Sequence, residues 1–198
     1  MNYRPQIMEY IQKEREVLAE LDIDAINDAM RLLDMAFEQK SCIYIFGNGG
    51  SAATASHFQN DFNKGISEHT EKKFRFICLN DNISTIMAIA NDIGYEEIFR
   101  FQLCGRLNPN DLVIGISGSG NSKNIINAVE YAKECGCSVI GITGFDGGEL
   151  KKIADVSLHA PVNSMQITED IHMIFDHLIM SIFYKTKCGI NHLKNNAN

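Results

Sequence analysis

Beyond residue 40 the chain alternates short, unbroken apolar runs with longer stretches of helical periodicity. The runs are SCIYIF (41–46), FRFICL (74–79), DLVIGIS (111–117), SVIGIT (138–143) and VSLHAP (156–161). Runs that are apolar throughout, rather than at every second position, predict strands covered on both faces, as in a parallel sheet. The stretches between them, 51–63, 83–104, 122–135 and 147–153, are predicted to supply the crossover helices. Before the first strand, Ile7, Tyr10, Ile11, Val17, Leu18 and Leu21 fall near helical spacing, and Ile26, Met30, Leu33 and Phe37 form a second stripe. Asp22 or Asp24 suits the N-cap of that second helix. A long final helix is predicted from Met165 to Lys187, and the tail GINHLKNNAN is expected to fray.

This pattern predicts an α/β fold: a five-stranded parallel sheet flanked by helices, with an N-terminal helical pair. The chain, 1–198, reads as one domain with helices over 1–40, the α/β core over 41–163 and a C-terminal helix over 164–187. The apolar stripes of the first two helices need a neighbour to cover them, and a second subunit is a candidate.

Composition narrows the function classes. With 198 residues, 45% apolar and 22% charged, the chain is long enough to bury a sizeable core and has the balance of an ordinary globular protein. It has no run of eighteen apolar residues, so no membrane association is expected, and its charged N-terminus is unlike a signal peptide. A cytoplasmic location follows as the expectation. A net charge of -7 argues against nucleic acid as a partner, yet leaves small phosphorylated ligands open, since backbone N–H groups and hydroxyls can hold those. The six cysteines, Cys42, Cys78, Cys104, Cys135, Cys137 and Cys188, include no CxxC pair and read as free thiols.

Two loops share one design. FGNGGSAA leaves the first predicted strand and ISGSGNSKN leaves the third; each passes through Gly and Ser into a helix. A helix N-terminus reached this way offers unpaired N–H groups and a favourable dipole to an anion. Ser117, Ser119 and Ser122 add hydroxyl donors. Taken alone, either loop also reads as a tight turn with a capping serine. Neither is a dinucleotide GxGxxG nor a P-loop with its lysine. In open α/β sheets ligands gather at the carboxyl ends of strands, where both loops fall.

The reactive side chains follow the first loop and recur on the last helix. His57 and Asp61, four apart, share one helical face, and so do Glu169 and His177, eight apart. His172 and Asp176 are read as lying off that second face. Two imidazoles and two carboxylates suit zinc or a similar divalent ion if the helices converge. Other residues read more simply. Asp92 also suits the cap of a helix starting at Tyr95, Asp170 and Asp176 read as solvated or as subunit salt bridges, and GFDGGEL reads as a turn into a short helix. His69, His159 and His192 have no partner visible in the sequence.

SGSGNS after an apolar strand, with GNGGS earlier, resembles the sugar-isomerase (SIS) domain family, whose members bind phosphosugars on a flavodoxin-like fold. GNGGSAATASHF, IANDIGYEEIF, ISGSGNS, ITGFDGGEL and EDIHMIFDH resemble, within it, the phosphoheptose isomerases. The resemblance implies an aldose–ketose isomerase acting on sedoheptulose 7-phosphate through an enediolate, with Asp61 and His177 transferring protons. It implies that Asn48, Gly49, Gly50, Ser51, Asn91, Asp92, Ser117, Gly118, Ser119, Ser122 and Glu169 bind substrate. It further implies one Zn2+ per subunit on His57, Asp61, Glu169 and His177, no organic cofactor, and a homotetramer with its sites at subunit interfaces. The chain departs from the family pattern twice: Asp61 stands where Glu is usual, shorter by about one C–C bond, ~1.5 Å, and Glu169 stands where Gln is usual. Alternatives are a non-catalytic phosphosugar-binding or regulatory SIS protein of the DnaA initiator-associating type, and an isomerase of another phosphosugar.

Overall fold

The computed structural model describes residues 1–190. The expected tail falls mostly outside them, and so does His192. Five parallel strands, β1 (Ile43–Gly47), β2 (Phe76–Cys78), β3 (Leu112–Ser117), β4 (Ser138–Thr143) and β5 (Val156–His159), form one sheet in the order β2-β1-β3-β4-β5. That is the flavodoxin-like order, in keeping with the fold that the family resemblance implies. The second strand is shorter than expected, because only its central three residues pair with β1.

Both faces of the sheet are buried, which is why its strands carry no polar alternation. On β1, Ile43 and Ile45 enter one apolar cluster while Tyr44 and Phe46 enter the other. Helices α1 (Arg4–Ala19), α2 (Ile23–Gln39), α3 (Gly50–Asn60) and α8 (Met165–Lys187) all contribute residues to the first cluster. Helices α4 (Ile83–Asp92), α5 (Arg100–Leu103), α6 (Lys123–Glu134) and α7 (Gly148–Ile153) contribute to the second. The last helix spans the predicted residues.

The N-terminal helices behave differently from each other. Asp22 caps α2, its carboxylate accepting from the Ala25 N–H at 3.0 Å, and five α2 residues are buried. In α1 Val17 alone is buried, while Ile7, Met8 and Ile11 lie open to solvent. Lys187 near the end of α8 pairs with Asp34 of α2 and stands 4.3 Å from the Phe37 ring centroid, so α8 is fixed along α2.

One irregularity matters for the site. Helix α3 does not stop at Asn60 but widens into a π-helical turn, Asp61–Ile66. Phe62 and Ile66 are fully buried by this turn, and Phe62 meets the rings of Phe58, Phe74, Phe76 and Phe183 at centroid distances of 4.8–6.2 Å. Aromatic packing on that scale, ~0.5–1.5 kcal/mol per pair beyond area burial, stabilises a helix geometry that is otherwise rare. Asp61 is its first residue.

Candidate active site at the switch of strand order

Strand order reverses between β1 and β3, which are direct neighbours. Both glycine–serine loops leave the carboxyl ends of those two strands, so they open side by side at the crevice where such sheets bind ligands. In the first loop Gly49 has φ +54° and ψ -121°, a conformation closed to residues with a Cβ. Asn80 holds the loop from the next strand, accepting from Gly47 N–H at 3.1 Å and donating to Gly47 C=O at 2.8 Å. Asn48 exchanges two amide hydrogen bonds of 2.9 Å with Asn124 at the start of α6, and Tyr95 Oη donates to Asn48 Oδ1 at 2.9 Å. The two loops are therefore joined side chain to side chain.

Neither helix that follows a loop is closed by a capping side chain: Gly49 has none, and the Ser122 hydroxyl makes no cap bond. Ser122 instead meets Ser117 Oγ at 3.2 Å. The capping reading of these serines is thereby replaced: the first-turn N–H groups are left without that partner, and the hydroxyls face the loop. Ser51 and Ser117 are buried, whereas Ser119 is exposed. Ser119 and Asn121 border a cavity of about 530 Å3 with Phe145, Asp146 and Asn163. Its other wall is the GFDGG segment, which does turn into the short α7, with Asp146 accepting from Gly148 N–H at 3.0 Å.

The reactive groups converge where α3 and its π turn lie against α8. His57 Nε2 is 3.2 Å from His177 Nε2, 3.4 Å from Asp61 Oδ2 and 3.8 Å from Asp176 Oδ2, and His177 Nε2 is 4.0 Å from Asp61 Oδ2. One donor atom from each of the four lies within 4.8 Å of all the others. The two imidazoles are open to solvent, with side-chain exposures of 42% and 57%, while the two carboxylates are at 12% and 0%. Asp61 Oδ1 accepts from Asn60 Nδ2 at 3.0 Å. Burial, and then the charge of Asp61, pushes the Asp176 carboxyl up to about 8.

The donor set fits a divalent ion. Tetrahedral zinc with bonds near 2.0–2.2 Å needs its ligand atoms ~3.3–3.6 Å apart. The distances of 3.2 to 4.0 Å around His57 and His177 are close to that shell. Two acceptor-rich imidazole nitrogens facing two carboxylates is also the arrangement a cation would relieve.

Placement of the expected residues is uneven. His57, Asp61 and His177 come together. Glu169 does not join them: eight residues from His177 is two turns, ~12 Å along the axis, and it lies instead over the first loop. A Cβ on Gly50 would stand 2.3 Å from Glu169 Oε1. Asp176, read from the sequence as solvated or bridging subunits, is fully buried in the cluster. Asp176 lies about 100° from His177 on the helix, and packing of α8 against α3 and the π turn buries Asp176 while His177 stays open to solvent. Asp92 ends α4 rather than capping the turn at Tyr95, where Gly94 is the N-cap; it is exposed and accepts from Asn91 at 2.7 Å. From this segment it is Tyr95 that reaches the first loop. His172, also buried, meets Thr143 C=O through Nε2 at 3.1 Å, and burial lowers it to about 4, so it is a neutral core residue. His159 meets the Thr143 hydroxyl at 3.0 Å.

A parallel sheet in this order, two phosphate-type loops at its switch point and a His/Asp cluster beside them define a sugar-isomerase domain. The SIS domain family model matches residues 8–144. A phosphoheptose isomerase from Helicobacter pylori (strain 26695) is 37% identical over 171 residues, covering 86% of each chain. A probable phosphoheptose isomerase from Thermoplasma acidophilum is 36% identical over 173 residues, 87% of this chain and 94% of the relative. The solved structure of phosphoheptose isomerase GmhA from Neisseria gonorrhoeae superposes with a TM-score of 0.85 at 27% identity, covering 93% of this chain and all of that one. The chain belongs to the SIS domain family and, within it, to the phosphoheptose isomerases.

Proposed function

We propose that the protein is an aldose–ketose isomerase that converts sedoheptulose 7-phosphate to D-glycero-D-manno-heptose 7-phosphate. One observation carries the reading: Asp61 and His177 meet on adjoining helices, and the helix that brings Asp61 there starts at the first anion-binding loop. The relatives named above are isomerases, and with His177 present the regulatory alternative has less to support it.

The phosphate is held by Ser51, Ser117, Ser119 and Ser122 together with the N–H groups of Gly49, Gly50 and Gly118 and the starts of α3 and α6. Asn48, Asn91 and Asp92 take sugar hydroxyls, and Glu169, lying over Gly50, borders the sugar chain. Asp61 and His177 act as the acid–base pair: one removes the proton alpha to the carbonyl and the other returns a proton to the neighbouring carbon or oxygen of the enediolate. His57, 3.2 Å from His177 and 3.4 Å from Asp61, orients both. A divalent ion such as Zn2+, one per subunit, would be held by His57, Asp61 and His177; when bound it polarises the carbonyl and hydroxyl oxygens. No organic cofactor is required.

The exposed imidazoles and the uncovered apolar residues of α1 support a homotetramer whose interfaces complete the sites. Among the described residues no helix is long and apolar enough to cross a membrane, and a cytoplasmic enzyme fits that. The test is direct: purified protein is given sedoheptulose 7-phosphate, with and without zinc, and the heptose phosphate is followed by NMR. Conversion is expected. Retained phosphosugar binding with no conversion in either condition would overturn the assignment.

A further inference from the structure

The carboxylate of Asp176 is the most unusual polar group in the molecule. It is fully buried, neither oxygen has a hydrogen-bond partner, and it is aimed at the cluster of His57, Asp61 and His177. An unpaired carboxylate in a protein interior is strongly disfavoured unless it is neutralised or bound to a cation. The groups beside it do not supply that cation: they are His57 at 3.8 Å and the like-charged Asp61, and among the described residues no Lys or Arg pairs with it. From its geometry we propose that Asp176 is the fourth ligand of the divalent ion, completing a His2Asp2 site, and that Glu169 is not a ligand. The inference rests on the reading that this cluster holds a metal.

Three observations support it beyond the orphaned oxygens. Asp176 Oδ2 reaches His57 Nε2 at nearly the separation that tetrahedral ligands need, and one oxygen of Asp176 shares the 4.8 Å shell with all three other donors. Glu169 sits two turns away, over Gly50. Two neutral imidazoles with two ionised carboxylates would carry the two negative charges that balance a divalent ion. The geometry thus separates two roles on α8. Asp176 and His177 hold the ion, and Glu169 faces the loop that receives the phosphosugar.

The experiment is a zinc titration of chelator-stripped, full-length protein against a competing chromophoric chelator, with cobalt spectra as a second readout. Asp176→Asn keeps the shape and removes the charge; it is expected to raise the zinc Kd on the order of 100-fold and to weaken the visible bands of four-coordinate cobalt. Glu169→Gln should leave the Kd close to the parent's, because Glu169 lies ~12 Å along the helix from His177, over Gly50. Metal-free melting of Asp176→Asn checks the fold, and a cooperative transition close to the parent's is expected, because Asn has the shape of the protonated carboxyl. An unchanged Kd in Asp176→Asn, or the larger loss in Glu169→Gln, would overturn the inference while leaving the isomerase assignment standing. Wild-type protein that binds neither ion would overturn both this inference and the metal part of the functional reading.

Discussion

The two glycine–serine loops start from the same device and end in different chemistry. Each takes the chain from a central strand into a helix, and the two are tied by the Asn48–Asn124 amide pair. Behind the second loop α6 presents apolar residues and Asn124 to the core, with no titratable side chain buried. Behind the first, α3 carries His57 and then opens into a π turn that begins at Asp61. On the function proposed above, the second loop binds and the first both binds and reacts. The difference lies in the eleven residues after the glycines, Ser51 to Asp61, not in the glycines themselves.

The largest effect should come from breaking the reactive side alone. His177→Ala, or Asp61→Asn, is expected to lower kcat by about 10^3-fold, the scale of a lost general acid or base, while phosphosugar affinity changes only a few-fold. Steady-state kinetics with a separate binding titration check this. A fully active His177→Ala would remove the residue from the mechanism.

A smaller effect separates the two sides by pH. In the metal-free protein Asp176 keeps its proton up to about 8, whereas in the unfolded chain it ionises near the ordinary value of 3.8. The folded state therefore holds the extra proton between those values, and stability falls as pH rises through that window. The loss amounts to a few kcal/mol, since a tenfold change in proton affinity is worth about 1.4 kcal/mol. Denaturant melts from pH 4 to pH 8 should show this slope in the wild type and a flatter one in Asp176→Asn. Equal slopes would mean that the carboxyl is not protonated in the folded protein.

The smallest effect belongs to the second loop. Ser119→Ala or Ser122→Ala removes one hydrogen bond to a charged group, worth ~1.5–3 kcal/mol, and should raise KM by roughly tenfold or more with kcat nearly unchanged. A kcat loss without a KM rise would mean that this loop takes part in the chemistry, and the contrast between the loops would collapse.

Much of this was legible because it depends on local pattern. The runs at 111–117 and 138–143 are apolar at nearly every position, and they are the two longest strands, β3 and β4. Met165–Lys187 is one helix, as its composition predicts. His57 and Asp61 share a face at i, i+4 whatever the rest of the fold does, and their proximity survives the π turn. Asp176 shows where such reading stops. Seven residues put it about 20° round from Glu169, and one residue puts it about 100° from His177, so helical spacing alone does not say which of the two meets the π turn. The π turn is itself held by Phe62 packing against Phe74, Phe76 and Phe183, contacts that join distant parts of the chain. Glu169 is the complementary case: eight residues put it about 80° round from His177 and two turns along the helix, over Gly50 of the first loop. Asn124 and Tyr95, which tie Asn48 in place, carry no motif that would mark them.

The central claim is that Asp61 and His177 move a proton between substrate carbons through an enediolate. Isomerisation of sedoheptulose 7-phosphate in D2O, followed by proton and deuterium NMR, tests it most directly. The account predicts heptose 7-phosphate carrying deuterium at the carbon next to the aldehyde, and loss of both conversion and exchange in His177→Ala. Conversion with no deuterium incorporated, or binding with neither conversion nor exchange, would contradict it.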